Sequence, residues 1–332
     1  MAPPGTSGGA SVDPVRHRSP SRPRTPDRVP PRTVVAGRYV LLDQIGAGGM
    51  GSVWRALDGR TGRHVALKVL GQHSSALLAR FVREQAVRVR HPHVVAPHGW
   101  AAEDDLVVLA MDLVAGGSLA QLLGEHGPLD AGTAGLLVEQ LLLGLGAVHA
   151  AGLVHRDVKP ANLLLEATGT RTPHLRLGDF GVAAPIADHR FTTVPGAIGT
   201  EGYMAPEQAR GAPPDPTQDL YAVGRVALEM VTGLPPSRQG EIPSHPLRPL
   251  VEQLLVVDPE QRLTSADAAL RLLRRLRLPA PAGSAVPDRL GPAPRAGRTS
   301  LAERAARVDW LGWGAVVALL GVVVGCLLVL LG

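Results

Sequence analysis

Cysteine, aromatic residues and lysine are all scarce in this chain of 332 residues. The one cysteine, Cys326, excludes an intrachain disulfide and a structural zinc site built on several thiolates. Aromatic residues make up only 3% of the chain while apolar residues make up 45%, so a sizeable core must be built mainly from Leu, Val and Ala.

Lysine is the most informative absence. Of 34 basic residues other than histidine, only Lys68 and Lys159 are lysines. A planar guanidinium cannot replace a compact ammonium in every setting, so both lysines are candidates for specific chemistry, the alternative being that they persist by chance. The net charge of +5 would permit nucleic-acid binding, but the excess arginine lies largely in the tails. This distribution favours solvated tails and no nucleic-acid partner.

Composition divides the chain into four segments. Residues 1–36 are rich in Pro, Ser, Gly and Arg, which predicts a disordered basic tail without a signal peptide. Residues 37–278 are predicted to fold. Residues 279–309 return to a linker composition, which predicts a flexible linker and juxtamembrane segment, and residues 310–332 form the fourth segment.

Within the folded segment, apolar alternation predicts strands at 39–42, 53–56, 64–70 and 106–113. Helices are predicted from Ser74 or Ser75 to Arg90 and over 133–150. Strands followed mostly by helices indicate a two-lobed α+β fold, with a β-rich N-lobe at 37–112 containing one main helix and a mostly helical C-lobe at 113–278.

The fourth segment has the composition of a transmembrane helix. Residues 311–331 carry no charge, and at 1.5 Å per residue such a helix is roughly 31 Å long, enough to cross a bilayer. A buried core helix is the alternative. Arg304 and Arg307 precede the span, so the positive-inside rule predicts a single-pass cell-membrane protein whose folded domain is cytoplasmic, with nothing beyond the span. Gly321 and Gly325 form a pair of small residues four positions apart, which would allow two such helices to pack as a homodimer.

A glycine-rich stretch, Gly46–Val53, follows the first predicted strand. It could belong to a dinucleotide-binding unit, but there a helix must follow, and here a strand follows. A hairpin covering phosphate groups fits better, because glycines let the backbone approach phosphate oxygens. Lys68 ends the next strand and is suited to reach those phosphates. Glu84 is the only acidic residue of the following predicted helix, so it is the candidate partner of Lys68, the alternative being a solvated charge.

Two further motifs supply oxygen ligands and charge. In the run 155–162, Asp157 can accept a hydroxyl proton, Lys159 can neutralise the γ-phosphate, and Asn162 offers an amide oxygen. Asp179, in Asp-Phe-Gly after a short strand at 175–177, can supply a carboxylate. One Asp and one Asn match Mg²⁺, which takes few protein oxygens beside phosphate oxygens.

In this order and at these spacings, the motifs over residues 38–278 resemble the eukaryotic-type serine/threonine protein kinases of bacteria, in particular those of actinobacteria. The resemblance implies that Lys68 and Glu84 form an ion pair, that Asp157 is the catalytic base and that Lys159 binds phosphate. It implies ATP and Mg²⁺, or alternatively Mn²⁺, as cofactors, with Asn162 and Asp179 as the metal ligands. It also implies the following ATP-binding residues: Ile45, Gly46, Ala47, Gly48, Gly49, Met50, Gly51, Ser52, Val53, Ala66, Lys68, Met111, Asp112 and Val114.

The same resemblance extends to the activation segment and to structural positions. Lys159 and Thr200 occupy positions typical of kinases specific for serine and threonine. Glu207 is implied to pair with Arg262, and Asp219 to anchor a long buried helix. The resemblance also leads us to expect protein substrates and a signalling role at the membrane. We further expect autophosphorylation at Thr192 and Thr193.

Three functions are compared on this basis. An active kinase requires the full set of catalytic residues, and this chain retains each one. A pseudokinase or nucleotide-binding scaffold would usually lack at least one of them. A small-molecule phosphotransferase of related fold is disfavoured by the sequence Ala205-Pro206-Glu207, which ends an activation segment of full length.

Overall fold

Strands dominate the first part of the chain and helices the second, as predicted. The computed structural model describes residues 34–48, 51–70, 89–103, 106–179, 184–185, 200, 202–283 and 285–294. These residues form a β-rich small lobe and a larger, mostly helical lobe. Residues 74–88 of the helix predicted to run to Arg90 lie outside the described residues, as do Thr192 and Thr193, the tail at 1–33 and the predicted span at 310–332; residues 89 and 90 are described and are not helical.

The small lobe is built on a six-stranded antiparallel sheet in the order β1-β2-β3-β4-β6-β5. Its apolar face buries Tyr39, Leu67 and Val108 completely. The strands are β1 (Val34–Val35), β2 (Tyr39–Gly48), β3 (Gly51–Asp58), β4 (Arg63–Leu70), β5 (Gly99–Glu103) and β6 (Leu106–Met111).

The predicted tail extends too far into the fold. Val34 and Val35 pair with Val40 and Tyr39, and Val35 is buried. The prediction of a disordered tail through residue 36 is therefore wrong for its last residues. Two β-branched residues, Val34 and Val35, pair with the edge of the sheet there.

A carboxylate closes the turn between β3 and β4. Asp58 accepts two hydrogen bonds from the Arg38 guanidinium, both at 2.8 Å, one from the Arg60 N–H at 3.0 Å and one from the Thr61 hydroxyl at 3.1 Å. These contacts, that with Arg38 foremost, hold the pKa of Asp58 well below its usual range. The paired charge thus fixes the end of the hairpin.

Replacing this carboxylate should destabilise the small lobe in a pH-dependent way. We expect Asp58→Asn to lower the free energy of unfolding at pH 7 by about 1–3 kcal/mol, the typical net contribution of hydrogen bonds to a charged group. Because the folded pKa is lowered, this stability is present above the pKa of an unfolded aspartate, about 3.9, and is lost as pH falls towards the folded pKa. In thermal denaturation between pH 7 and pH 3, the difference in melting temperature between Asp58→Asn and wild type should therefore become smaller below about pH 4.

The control for this prediction is Asp267→Asn, which removes an exposed partner of Arg271 on a helix surface. Exposed ion pairs of this kind contribute little, so its melting temperature should stay close to that of wild type at every pH. A difference in melting temperature between Asp58→Asn and wild type that stays constant from pH 7 to pH 3 would contradict a stabilising role for the ionised Asp58 carboxylate.

The large lobe contains the described helices and four short strands that form two pairs. The helices are α1 (Leu119–His126), α2 (Ala131–Ala150), α3 (Pro206–Ala209), α4 (Pro216–Thr232), α5 (Arg248–Leu254) and α6 (Ala266–Arg275), with 3₁₀ turns at Pro160–Asn162 and Pro236–Arg238. The short strands are β7 (Leu153–Val154), β8 (Leu163–Leu165), β9 (Leu175–Leu177) and β10 (Ala184–Pro185). β8 pairs with β9, and β7 with β10.

Helix α2 forms the centre of the large-lobe core. It begins at Ala131, slightly before the predicted start, because Asp130 caps it by accepting the Thr133 N–H at 2.9 Å. Leu137, Leu141 and other apolar residues on several faces are fully buried against α4 and α6. Among the described residues α2 is the one helix long and apolar enough to cross a membrane, yet most of it is enclosed by the protein, as in a core helix.

The chain beyond α6 continues along the large lobe. The sequence predicts a flexible linker from residue 279, but residues 279–283 and 285–294 lie against the protein, and Val286 is buried within the large-lobe core. The linker prediction is wrong over this stretch. A composition rich in Pro, Ala and Gly lowers the apolar content but does not prevent single buried side chains and backbone hydrogen bonds from docking a segment.

Candidate active site

The glycine-rich stretch forms a hairpin between β2 and β3. Gly46 is opposite Val53, Ala47 is opposite Ser52 and Gly48 is opposite Gly51, while Gly49 and Met50 lie outside the described residues. Gly51 has φ of +133°, and a Cβ there would collide with the carbonyl oxygen of Val69. The glycine is therefore required by close backbone packing as well as by its conformation.

Lys68 stands on the strand next to this hairpin. β4 places it opposite Val53, and its side chain is only 9% exposed. Its Nζ donates to Asp179 Oδ1 at 2.5 Å, which compensates for the burial of the ammonium group. Glu84, the partner implied by the resemblance, lies outside the described residues. The structure thus joins Lys68 on the small lobe to Asp179 on the large lobe across the cleft.

Asp157 lies in the loop after β7, surrounded by donors. Its Oδ1 accepts the Thr200 hydroxyl at 2.8 Å, and its Oδ2 accepts the Asn162 amide at 2.9 Å. The Lys159 ammonium lies 2.8 Å from Oδ2 and 2.5 Å from the Thr200 oxygen. An ionised carboxylate beside a hydroxyl and a cation can take a hydroxyl proton and hold a neighbouring anionic group.

The two candidate metal ligands are brought together by the β8–β9 hairpin. Leu163 pairs with Leu177, and the Gly178 N–H donates to the carbonyl of Asn162 at 2.9 Å. Asn162 precedes β8 and Asp179 follows β9, so both side chains belong to the same end of the hairpin. An amide oxygen and a carboxylate are hard donors, so the set fits Mg²⁺ shared with phosphate oxygens.

A buried carboxylate supports the catalytic loop from behind. Asp219, on α4, accepts the backbone N–H groups of His155 at 2.8 Å and Arg156 at 2.7 Å, and lies 2.9 Å from His149 Nε2. Burial alone would raise the pKa of Asp219, but the bond from His149 and the other donors outweigh it, and the pKa is lowered. Arg156 has φ of +67°, a strained conformation that these bonds maintain next to Asp157.

A second buried pair closes the lower part of the large lobe. The Arg262 guanidinium, fully buried, donates to Glu207 Oε1 at 2.7 Å and Oε2 at 3.1 Å, and also to the carbonyls of Val256, Thr217 and Val257. The two residues implied to pair are therefore in bidentate contact. The contact fixes α3, which follows the activation segment, against the core.

The connection between the lobes carries the residues implied to bind adenine. Met111 ends β6 opposite Ala66 on β4, and Asp112 and Val114 follow. The Asp112 carboxylate accepts a hydrogen bond at 2.7 Å from Arg176, on β9. The side chain of Asp112 is thus held by Arg176, while its backbone forms part of the connection between the lobes.

Three contacts of the site were missed by sequence reasoning. Arg176 reaches Asp112 across 64 residues, and His149 reaches Asp219 across 70. The Tyr203 hydroxyl donates to Glu229 at 2.5 Å, and burial raises the pKa of both groups. No local sequence pattern predicts any of these pairs, because each joins residues that are far apart in sequence and meet only in the folded chain.

Thr200 is expected to be a positioning residue in the cleft. Replacing it with valine removes the hydroxyl that bridges Asp157 and Lys159 while keeping the side-chain shape. For the phosphoryl transfer that the sequence resemblance implies, we expect Thr200→Val to lower kcat by roughly 10-fold, the equivalent of about one net hydrogen bond. Steady-state kinetics with saturating ATP measure this, and Thr168→Val in the exposed β8–β9 loop is the matched control. Equal kcat values for the two variants would exclude a role for Thr200.

Comparison with known proteins points to one family. The family model described as "Protein kinase domain" matches residues 39–272. The serine/threonine-protein kinase PkaA of Streptomyces coelicolor is 36% identical over 273 residues, covering 72% of this chain and 50% of that protein. The serine/threonine-protein kinase PknA of Mycobacterium tuberculosis is 35% identical over 292 residues, covering 78% of this chain and 67% of that protein. The matched region thus spans about half of the first relative and two thirds of the second.

Proposed function

Because this chain belongs to the protein kinase family, we propose that it is an ATP-dependent protein serine/threonine kinase. The observation that carries the proposal is the arrangement around Asp157. This carboxylate already accepts a hydrogen bond from a hydroxyl, that of Thr200, with the Lys159 ammonium touching both groups. A substrate hydroxyl bound in the same way would have its proton acceptor and its phosphate-binding cation in place.

The reaction follows from these positions. The hydroxyl oxygen of the protein substrate forms a bond to the γ-phosphorus of ATP, the bond from that phosphorus to the β–γ bridging oxygen breaks, and ADP leaves. The hydroxyl proton passes to Asp157, and Lys159 offsets the charge of the transferred group. Lys68 would hold the α- and β-phosphates. Asn162 and Asp179 would hold Mg²⁺, which when bound neutralises charge on the phosphate oxygens.

The choice of serine and threonine over tyrosine is supported by the contact of Lys159 with Thr200. Together they place a cation and a hydroxyl close to the acceptor side of Asp157. The test is transfer of labelled γ-phosphate from ATP with Mg²⁺ to a generic protein acceptor, followed by phosphoamino-acid analysis. We expect phosphoserine and phosphothreonine. Phosphotyrosine alone would overturn the specificity, and bound ATP without any transfer would support the pseudokinase alternative.

We also propose autophosphorylation of Thr192 or Thr193, with Arg156 as the phosphate-binding group. In the part of the chain that the structure describes, the Nε and NH1 atoms of the buried Arg156 have no hydrogen-bond partner. Burial lowers the pKa of this guanidinium, and an arriving phosphate would compensate for that cost. The test is mass spectrometry after incubation with ATP, together with activity of a Thr192→Ala/Thr193→Ala variant. An active enzyme that is unmodified at both threonines would contradict the proposal.

The predicted span supports a further proposal, that the protein is held in the cell membrane with its catalytic domain cytoplasmic and that two spans pair through Gly321 and Gly325. The charge-free run 311–331 and the preceding Arg304 and Arg307 are the supporting features. Membrane fractions washed with alkaline carbonate should retain the wild-type chain and lose Val323→Arg. Equal retention of the two would contradict the anchor, and unchanged crosslinking of Gly325→Ile would contradict pairing through the glycines.

A further inference from the structure

Residues 285–294, called here the hinge strap, run from the large lobe past the connection between the lobes to the small lobe. The strap is fixed to the large lobe at Val286. This residue and Gly169 exchange both backbone hydrogen bonds, at 2.8 and 2.9 Å, and the Val286 side chain is 1% exposed. The start of the strap is therefore held by a backbone pair and by burial in the core.

The strap then crosses the connection between the lobes. The backbone N–H of Arg289 donates to the Ala115 carbonyl at 2.8 Å, and its Nε donates to the Gly116 carbonyl at 3.0 Å. Its two terminal nitrogens bind both oxygens of Glu125, at 2.7 and 2.6 Å. This one side chain thus ties the connection, helix α1 and the strap together.

The glycines at this crossing leave room for the strap. A Cβ at Gly116 would come within 2.5 Å of the Val286 Cγ1 atom, and a Cβ at Gly117 within 2.5 Å of the Arg289 Cδ atom. Separations this short are not tolerated in packed proteins. The strap therefore lies in direct contact with the backbone that follows the adenine-binding positions.

The strap ends on the small lobe. Arg55, on β3 and only 4% exposed, donates from NH1 to the Gly291 carbonyl at 2.9 Å. The same guanidinium is fixed by two bonds to Asp43, at 2.7 and 3.0 Å. Asp288 shapes the turn here by accepting the N–H of Gly291 at 3.0 Å.

This end point lies at the roof of the nucleotide pocket. Arg55 is opposite Ala66 in the sheet and two positions after Val53, so Arg55 and Val53 share one face of β3. Ala66 and Val53 are among the residues implied to contact ATP. The strap consequently joins the large lobe, the segment between the lobes and the pocket roof through a series of buried or charge-assisted contacts.

We propose that Arg289 and Arg55 are positioning residues for nucleotide binding, which act through the hinge strap by holding the small lobe at a fixed angle over the connection. The inference rests on the proposed function in that ATP is the ligand, but it concerns binding and does not require phosphoryl transfer. Neither arginine touches the reacting groups, so the strap affects how well the pocket is formed and leaves the chemical step unchanged.

The test uses the full chain and measures ATP–Mg²⁺ affinity by calorimetry alongside KM for ATP and kcat. We expect Arg289→Ala to weaken ATP binding roughly 3- to 10-fold, the equivalent of losing about one net hydrogen bond, with kcat changed less than twofold. Arg289→Lys should give an intermediate value, because an ammonium keeps the charge but loses the fork. Arg271→Ala, which breaks an exposed ion pair on α6, is the control and should bind as wild type.

Two further measurements separate the strap from a general loss of stability. If both arginines act through the strap, Arg289→Ala should have no additional effect on ATP affinity in an Arg55→Ala background, whereas independent effects would multiply. Hydrogen exchange at Val286 and Arg289 should be slow in wild type and fast in Arg289→Ala. A lowered melting temperature with unchanged ATP affinity, multiplying effects, or fast exchange at both amides in wild type would each overturn the proposal. Binding that follows the prediction without any phosphoryl transfer would refute the proposed function alone.

Discussion

Asp157→Asn should reduce phosphoryl transfer by about 10²–10⁴-fold, the range typical of removing a positioned general base. Asparagine has the shape of aspartate and keeps one acceptor oxygen, so the loop keeps its form. It cannot take a proton, and it removes the negative charge that holds Lys159 and the Thr200 hydroxyl in place. The loss should therefore fall on kcat, while ATP affinity measured by calorimetry stays close to that of wild type.

The matched control is Asp215→Asn, an equivalent substitution outside the cleft. Asp215 caps helix α4 by accepting the Thr217 N–H at 2.8 Å. Asparagine serves as well as aspartate at such a position, so this variant should retain wild-type activity. Transfer by Asp157→Asn at the wild-type rate would refute the role of Asp157 as the proton acceptor.

Asp219→Asn should have the largest effect on stability. Replacement leaves two buried backbone donors, of His155 and Arg156, and the partly buried His149 ring facing a side chain with one acceptor oxygen and a competing NH₂ group. Breaking a buried charged network in this way costs about 3–5 kcal/mol. Denaturant unfolding measures the loss, and the midpoint should fall well below that of Asp215→Asn on the same helix.

A second consequence of Asp219→Asn concerns the strained backbone beside the catalytic residue. Arg156 has positive φ and is held there by its N–H bond to Asp219. Without this bond the loop is expected to relax, so kcat should fall even at temperatures where the variant is folded. A folded variant with wild-type stability and wild-type kcat would show that Asp219 does not support the loop.

Local patterns were sufficient to single out Lys68, Asp157 and Asp179, which the structure brings to the cleft between the lobes. Lys68 lies in the apolar strand β4, two residues before its end, and Asp157 and Asp179 follow the short apolar strands β7 and β9, so all three lie near strand ends beside the cleft. The two-lobed order of strands and helices followed from the same apolar periodicity. These features depend on residues close in sequence, which is why the sequence was informative about them.

Contacts between distant residues were not predictable. Nothing near His149 indicates that it binds Asp219, and the composition of residues 279–294 resembles that of a linker. The docking of that segment depends on one buried valine and one arginine, Val286 and Arg289, among prolines, alanines and glycines. A sequence pattern reports average apolar content, whereas a docked segment requires only a few well-placed contacts.

The positions of the two lysines determine how the protein will respond to amine-directed chemistry. Both ammonium groups lie in the cleft, Lys68 against Asp179 with 9% of its side chain exposed and Lys159 against Asp157 with 24% exposed. An acylating reagent therefore finds its only side-chain amines at the phosphate-handling positions, with Lys159 the more accessible. Acylation mapped by mass spectrometry becomes a direct footprint of cleft occupancy, and immobilising the protein through its lysines would block the cleft itself.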